Sequence, residues 1–323
     1  TEIHVLRKIK GPYIPKVTYH ILPEVCQFHL LNAFLTPLYL ILIASIVKPK
    51  YILSYHMIPH AYFGYFTSKM LKIPHIVGQT GLYVQSYFNK YYLIKKSLRI
   101  ILQDAKFINV PGNTSKDFWL KQGISKKKIN LIHSTIDTNY YKKYDVKPFF
   151  DLLYVGRLSS EKNLILLFNT LSKIKNKDLN VAIVGEGPDF KILKEYSSKK
   201  LVNHNVFFYG FDPKPLKFYA LSKIKYLCSK SEGLPVSLME AMSCELKVIT
   251  TNVGNVSDLI PLKFKNILAE PSEDKLKSIL TDMLDNVDKN YIDSVECREI
   301  IVKNHSHKFI ESKWLKILIP DNG

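Results

Sequence analysis

Three stretches in the second half of the sequence combine glycine, cations and carboxylates at spacings suited to anion and sugar chemistry. The first, Ser229 to Val248, reads SKSEGLPVSLMEAMSCELKV. Glu232 precedes Gly233, which permits a tight backbone path, and Pro235 suits the first position of a helix. The free N–H groups of Val236 and Ser237 at such a helix start form a cradle for a phosphate. Glu240, eight residues after Glu232, falls on later turns of the same helix, so one loop offers two carboxylates flanking an anion site. Carboxylates also accept hydrogen bonds from vicinal sugar hydroxyls. The competing reading is a surface loop with ordinary acidic residues, the commoner fate of two glutamates.

The second stretch, Tyr154 to Asn163, reads YVGRLSSEKN. A strand ends, Gly156 opens a turn, and a helix is expected to start behind Ser159 or Ser160 as N-cap. Arg157 and Lys162 reach the same mouth of the sheet, a pairing that suits a diphosphate and the charge of a departing one. Taken alone they equally read as solvated surface cations. The third stretch, VGEGPD from Val184 to Asp189, is a glycine-rich strand-to-helix turn containing Gly185 and Glu186. It is not a dinucleotide fingerprint, because the third glycine of GxGxxG is absent.

The elements that position these loops follow from periodicity. Leu152 to Val155, Val181 to Val184, Val206 to Tyr209, Ile224 to Cys228 and Val248 to Thr251 are short apolar runs with helical patterns between them. Strictly alternating strands and helices, with strands apolar on both faces, predict a parallel sheet covered on both sides. Ligands bind such a sheet beyond the carboxyl ends of its strands. The first half repeats the theme less regularly, with strands expected from Ile3 to Leu6, Val17 to Ile21, Tyr51 to Tyr55, His75 to Val77, Phe107 to Val110 and Asn130 to Ile132. Two α/β domains result, 1–145 and 146–323, joined through a lysine-rich linker and closed by three consecutive helices. The uncharged run Leu30 to Val47 reads as a helix buried against the first sheet, with membrane-surface contact as the alternative.

Composition sets the class of partner. The chain of 323 residues carries 46 Lys and Arg against 28 Asp and Glu, a net charge of +18. Residues 1–150 hold 21 of the cations and only 6 of the acids, so an anionic partner belongs to the first half. Cys26, Cys228, Cys244 and Cys297 stand far apart, which argues against a disulfide framework or a zinc site and for a reducing, cytoplasmic setting.

Together, GRLSSEKN, VGEGP, FFYGF and the Glu232–Glu240 element resemble the carboxyl-terminal domain of the family-4 retaining glycosyltransferases of the GT-B fold. The match runs from about Leu152 to Ile260. KPKYILSYH and INLIHSTIDTNYY occupy the places of segments in that family's acceptor domain. The resemblance implies an α/β GT-B architecture, two doubly wound Rossmann-like domains facing a cleft. It implies a nucleotide-sugar donor, with UDP- or GDP-sugars foremost, and no other cofactor. Arg157 and Lys162 would hold the diphosphate, and Glu232 the transferred sugar. Gly156, Gly185, Glu186, Gly233, Leu234, Pro235 and Val236 would line the donor, with Pro235 unable to donate an N–H. Glu240 would bind the ribose and Phe211 lie beside the base. No metal is implied, in line with the absence of a DxD motif.

The sequence departs from the family in three places. The first strand and glycine-rich loop are not present after Thr1, so the N-terminal domain is expected to lack a unit of roughly 30 residues. Thr80 stands where a histidine is usual, with His56 and His60 elsewhere in the same half; their i, i+4 spacing would share a helix face. Glu245 to Lys247 replace a Gly-x-Pro turn. The tyrosine-rich stretch Tyr83 to Tyr92, followed by Lys95, Lys96 and Arg99, either stacks on a sugar, sits at a membrane interface or lines the core.

The expected function is a hexosyltransferase-type, metal-independent glycosyltransferase that moves sugar with retention to a lipid-linked or polysaccharide acceptor. It would serve cell-surface glycan synthesis, such as that of lipopolysaccharide, at the inner face of the cell membrane. The basic half would touch acceptor and anionic lipid. The alternative is a non-catalytic nucleotide-sugar-binding protein, distinguished by nucleotide binding without turnover. Nucleic acid is not expected as a partner, since no recognition motif accompanies the lysines.

Overall fold

The apolar runs of the second half pair side by side in parallel. In the computed structural model, which describes residues 2–23, 29–261, 263–264, 267–268, 272–285 and 292–319, six strands form one sheet. They are β7 (Phe150–Val155), β8 (Asn180–Val184), β9 (Asn205–Gly210), β10 (Ser222–Leu227), β11 (Lys247–Thr251) and β12 (Ile267–Leu268). Their order is β12-β11-β10-β7-β8-β9, with every neighbouring pair parallel. Leu152 is in register with Val181 on one side and Ile224 on the other, so β7 is central. The chain runs outward through β8 and β9, then returns to the far side of β7 with β10. At that reversal the loops after β7 and β10 diverge from adjacent strand ends, the place where doubly wound sheets take ligands.

Helices α6 (Leu164–Ser172), α7 (Phe190–Lys200), α8 (Leu216–Ala220) and α9 (Val236–Ser243) connect these strands, and α10 (Glu273–Leu284), α11 (Ser294–His305) and α12 (His307–Leu318) follow. Leu152, Val181, Ile183, Leu167, Leu238 and Val248 are all fully buried in one core. Arg298 of α11 donates to the carbonyls of Thr138 and Ser243, tying the segment ahead of β7 to the end of α9. The chain divides into two compact units, Thr1–Val110 with Lys116–Leu131 and Pro111–Ser115 with Ile132–Gly323.

The first unit has a parallel pair, β1 (Ile3–Arg7) and β2 (Val17–Ile21). It also has a parallel four-stranded sheet in the order β3 (Ile52–Tyr55), β4 (His75–Gly78), β5 (Phe107–Val110) and β6 (Ile129–Leu131). Its core gathers Val77, Leu98, Leu102, Ile108 and Trp119, the last on α5 (Asn113–Lys121). The Trp119 indole N–H donates to Gln79 at 2.7 Å. The α/β class and the parallel sheets expected from the sequence are therefore present.

One expectation fails here. Helix α1 (His29–Val47), read as a buried helix, packs on α2 (Tyr62–Leu71) yet leaves Phe34, Leu38, Leu42 and Ile46 exposed. Thr36 and Ala44 mark its buried side. A helix apolar all round has more apolar surface than one packing contact covers. Of the three readings of the aromatic stretch, lining the core holds for Val84 and Phe88 alone. The stretch forms α3 (Tyr83–Lys90) and α4 (Tyr92–Asp104), broken at the extended Tyr91. Val84 and Phe88 face inward while Tyr83, Tyr87, Tyr91 and Tyr92 are exposed. Among the described residues no helix is long and apolar enough to cross a membrane. Cys26 lies outside the described residues; Cys228, Cys244 and Cys297 are buried free thiols.

Candidate active site

The loops after β7, β8 and β9 stack through their backbones. Gly156 N–H donates to Val184, Leu158 N–H to Glu186 and Gly185 N–H to Gly210, at 2.7 to 3.0 Å. Gly185 has φ +142, and a Cβ there would lie 1.9 Å from the Gly156 carbonyl oxygen. Only glycine permits that approach. The first glycine of VGEGPD thus lets two loops close on each other, while the Glu186 side chain points to solvent.

The expected cap at Ser159 or Ser160 does not form. A 3₁₀ turn, Ser160–Lys162, separates the strand from α6, which begins behind Asn163 in the left-handed region at φ 56. The residue types suit a helix start, but a tight turn takes them up, and that turn brings Lys162 against the other loop. Lys162 Nζ lies 2.8 Å from Glu232 Oε1, across 70 residues of sequence. Ser229 Oγ donates to the same oxygen at 2.6 Å, and Glu232 is only 9% exposed. Lys230 N–H donates to the Glu161 carbonyl at 2.7 Å, so the loops after β7 and β10 are joined by backbone as well. From behind, Thr251 donates to the Ser229 carbonyl and Asn255 to that of Gly233.

Helix α9 starts at Val236, with Pro235 as its extended N-cap rather than its first residue. Leu234 is buried, and Arg157 and Phe211 are exposed. Among the described residues no ion pair holds Arg157. One turn further along α9, Glu240 accepts from the Tyr219 hydroxyl at 2.7 Å and from the Tyr141 hydroxyl. Burial raises its carboxyl pKa, and the two tyrosine hydroxyls oppose that rise by stabilising the anion. Removing one donor weakens this control. With Glu240 read as the donor's ribose ligand, Tyr219→Phe is expected to raise the donor KM several-fold with kcat little changed, less than the ~1.5–3 kcal/mol of a whole hydrogen bond to a charged group because the Tyr141 hydroxyl still holds the carboxylate. Steady-state kinetics at varied donor concentration check this.

Sequence reasoning missed Ser229, Tyr219, Tyr141, Asn255 and Lys225. Lys225 alone carried a local signal, a cation inside an apolar run, and it is fully buried in β10. Its Nζ lies 3.1 Å from the Tyr226 carbonyl and 4.9 Å from the Tyr154 ring centroid. Burial pulls its ammonium pKa down to about 7; Glu240, Glu232 and Cys228 favour the charged form and Lys162 opposes it. At the end of α9, Glu245 takes φ 60 where the expected turn lacks its glycine, and Lys143 pairs with it at 3.3 Å.

In the first unit, Thr80 and His56 come together, Oγ1 to Nδ1 at 2.7 Å, with Tyr83 3.5 Å from the same nitrogen. His56 is not on a helix shared with His60. It holds a left-handed φ of 87, and the two rings are 5.8 Å apart. Gln79 donates to the Gly81 carbonyl and fixes the loop carrying Thr80. Among the described residues no group of His, Cys, Asp or Glu side chains is arranged to hold a metal ion.

Residues 140–296, which contain the Lys162–Glu232 pair and Glu240, match the family described as glycosyl transferases group 1. This half of the chain is a glycosyl transferases group 1 domain. The chain is 28% identical over 191 residues to a phosphatidylinositol N-acetylglucosaminyltransferase subunit of Arabidopsis thaliana, covering 57% of this chain and 42% of that protein. It thus spans about two fifths of that relative's length. It is 25% identical over 256 residues to a Campylobacter jejuni enzyme, covering 74% and 68% of the two chains. That enzyme is named GalNAc-α-(1→4)-GalNAc-α-(1→3)-diNAcBac-PP-undecaprenol α-1,4-N-acetyl-D-galactosaminyltransferase. Among solved structures, Anabaena Alr3699/HepE in complex with UDP superposes with a TM-score of 0.82 at 14% identity, covering 98% and 99% of the chains. The glycosyltransferase domain accordingly sits in a chain of GT-B fold.

Proposed function

We propose that the protein is a retaining glycosyltransferase that moves a hexosyl group from a nucleotide sugar to a lipid-linked or polysaccharide acceptor. The observation that carries the reading is the junction of Lys162 and Glu232 at the strand-order reversal, inside the group 1 domain. Support for the donor comes from the clustered charges at one sheet mouth. Lys162 and Arg157 match a diphosphate, the loop that carries Glu232 adds the amides of Gly233, Leu234 and Val236 ahead of and at the start of α9, and Glu240 offers a carboxylate for ribose hydroxyls. Support for the acceptor class comes from the relatives' names, which specify phosphatidylinositol and a PP-undecaprenol-linked glycan.

In the proposed reaction the bond from the anomeric carbon to the diphosphate oxygen breaks as an acceptor hydroxyl forms its bond to that carbon from the same face. The acceptor proton passes to the departing phosphate. Lys162 and Arg157 stabilise the charge that grows on the diphosphate, and Glu232 orients the sugar and stabilises the positive charge on its ring. Lys162 and Arg157 do the work a divalent ion performs elsewhere, so turnover in EDTA is expected to equal turnover with Mg²⁺; a rate restored only by metal overturns this part. Contact with the inner face of a membrane fits the cationic first half. Calorimetric titration with UDP-, GDP- and ADP-sugars, followed by an assay of donor turnover, tests the whole reading. Binding without any turnover would favour a nucleotide-sugar-binding protein.

A further inference from the structure

The segment from Val25 to Gln103 contains no Asp or Glu, yet carries Lys48, Lys50, Lys69, Lys72, Lys90, Lys95, Lys96 and Arg99. Within it lies the exposed apolar side of α1. Phe34, Leu38, Leu42 and Ile46 recur every four residues and are 54 to 74% exposed. At 1.5 Å per residue they form a ridge about 18 Å long within roughly one third of the helix circumference. Helix α2, packed on α1, adds Phe66 and Met70, both more than 60% exposed and four residues apart. Lys48 and Lys50 stand at the end of α1, and Lys69 and Lys72 at the end of α2. Lys69 is paired with Asp104 at 2.5 Å, which leaves Lys48, Lys50 and Lys72 as the cations beside an apolar ridge that is costly to leave in water.

We infer that the α1–α2 face is the surface by which this protein docks on an anionic lipid bilayer, with the ridge seated among the acyl chains and the lysines on the headgroups. It sharpens the membrane contact in the reading above and is independent of the transfer chemistry. Charge decides the occupant. A second copy would set two faces against each other that each carry Lys48, Lys50 and Lys72 and whose one acid, Asp104, is already paired with Lys69, so like charges would be opposed. A bilayer containing acidic phospholipid offers both an apolar interior and negative headgroups, and attracts each cation near its surface. The helix is placed along the surface rather than across it, because Thr36 and Ala44 on its other side are buried in protein and only the Phe34, Leu38, Leu42 and Ile46 side is open to lipid.

The test is sedimentation of the full chain with phosphatidylcholine vesicles, with and without phosphatidylglycerol. Binding is expected only with phosphatidylglycerol, and is expected to be lost at high salt. The variant carrying Phe34→Ser, Leu38→Ser, Leu42→Ser and Ile46→Ser is expected to bind at least about tenfold more weakly, because lost apolar burial lowers partitioning directly. A second variant, Lys48→Gln, Lys50→Gln and Lys72→Gln, keeps the ridge and is expected to lose the preference for phosphatidylglycerol. Equal binding of wild type and both variants overturns the inference, as does equal binding to both vesicle types. Wild-type dimers in gel filtration that the serine variant dissociates would assign the face to self-association and overturn it too. Donor titration of each variant separates the two readings. Intact donor binding and turnover without vesicle binding rejects the docking face alone, whereas vesicle binding without turnover rejects the transferase alone.

Discussion

Glu232→Gln is expected to lower sugar transfer by roughly 10²- to 10³-fold, the range seen when one group that stabilises transition-state charge is removed. The substitution keeps the size of the side chain and an oxygen that accepts from Ser229, and removes only the charge. In the folded protein that charge is matched by Lys162 at 2.8 Å. Losing it leaves a cation that is 19% exposed and can recover water, so the change in stability is expected to stay near 1 kcal/mol. Lys162→Met is expected to give a comparable loss in rate. The double variant should lose less than the product of the two, because both residues act in one contact. Initial rates with a donor identified by calorimetry, together with circular dichroism, decide the matter. A wild-type rate in either single variant would reject the site.

The second large effect concerns Lys225→Met. In the unfolded chain this lysine titrates near 10.5, and in the folded protein burial brings it down to about 7. Between those values the unfolded state holds a proton that the folded state has released, so stability rises with pH across the window. Below about pH 7 both states hold the proton, and the full penalty of burying an ammonium is present. The groups facing it are Glu240 on α9, Glu232 in the preceding loop, Lys162 in the 3₁₀ turn, Tyr154 on β7 and Cys228 beyond β10. Methionine fills similar space without charge. The variant is therefore expected to be more stable than wild type at pH 6, on the order of a few kcal/mol, with the difference shrinking towards pH 10. Urea unfolding at both pH values checks the sign; a variant less stable at pH 6 would refute it. Removing a positive charge beneath the loop proposed to hold the donor diphosphate is also expected to weaken donor binding, the usual exchange between stability and function.

The second-half strands were legible because fully buried parallel strands are apolar at every position, a pattern that contrasts sharply with the amphipathic helices between them. Helix starts were less secure. At Ser159 and Ser160 the residue types were right for a cap, but the loop spent them on a 3₁₀ turn, and local composition does not separate the two outcomes. The interior placement read for α1 failed for a different reason. Eighteen uncharged residues establish that a helix avoids water, and do not reveal whether protein or lipid supplies the other side.

The sequence by itself determined the alternation of strand and helix, the glycines where loops approach closely, and the presence of cations and carboxylates at the ends of β7 and β10. These depend on residue type and short spacing, which are local properties of the chain. Only the tertiary structure decided that Lys162 meets Glu232, that Tyr219 and Tyr141 cover Glu240, that Thr80 leans on His56, and that Lys225 is sealed inside the sheet. Those contacts join residues brought together by the order in which strands pair. That order is set by packing over the whole sheet, and no window of neighbouring residues contains it.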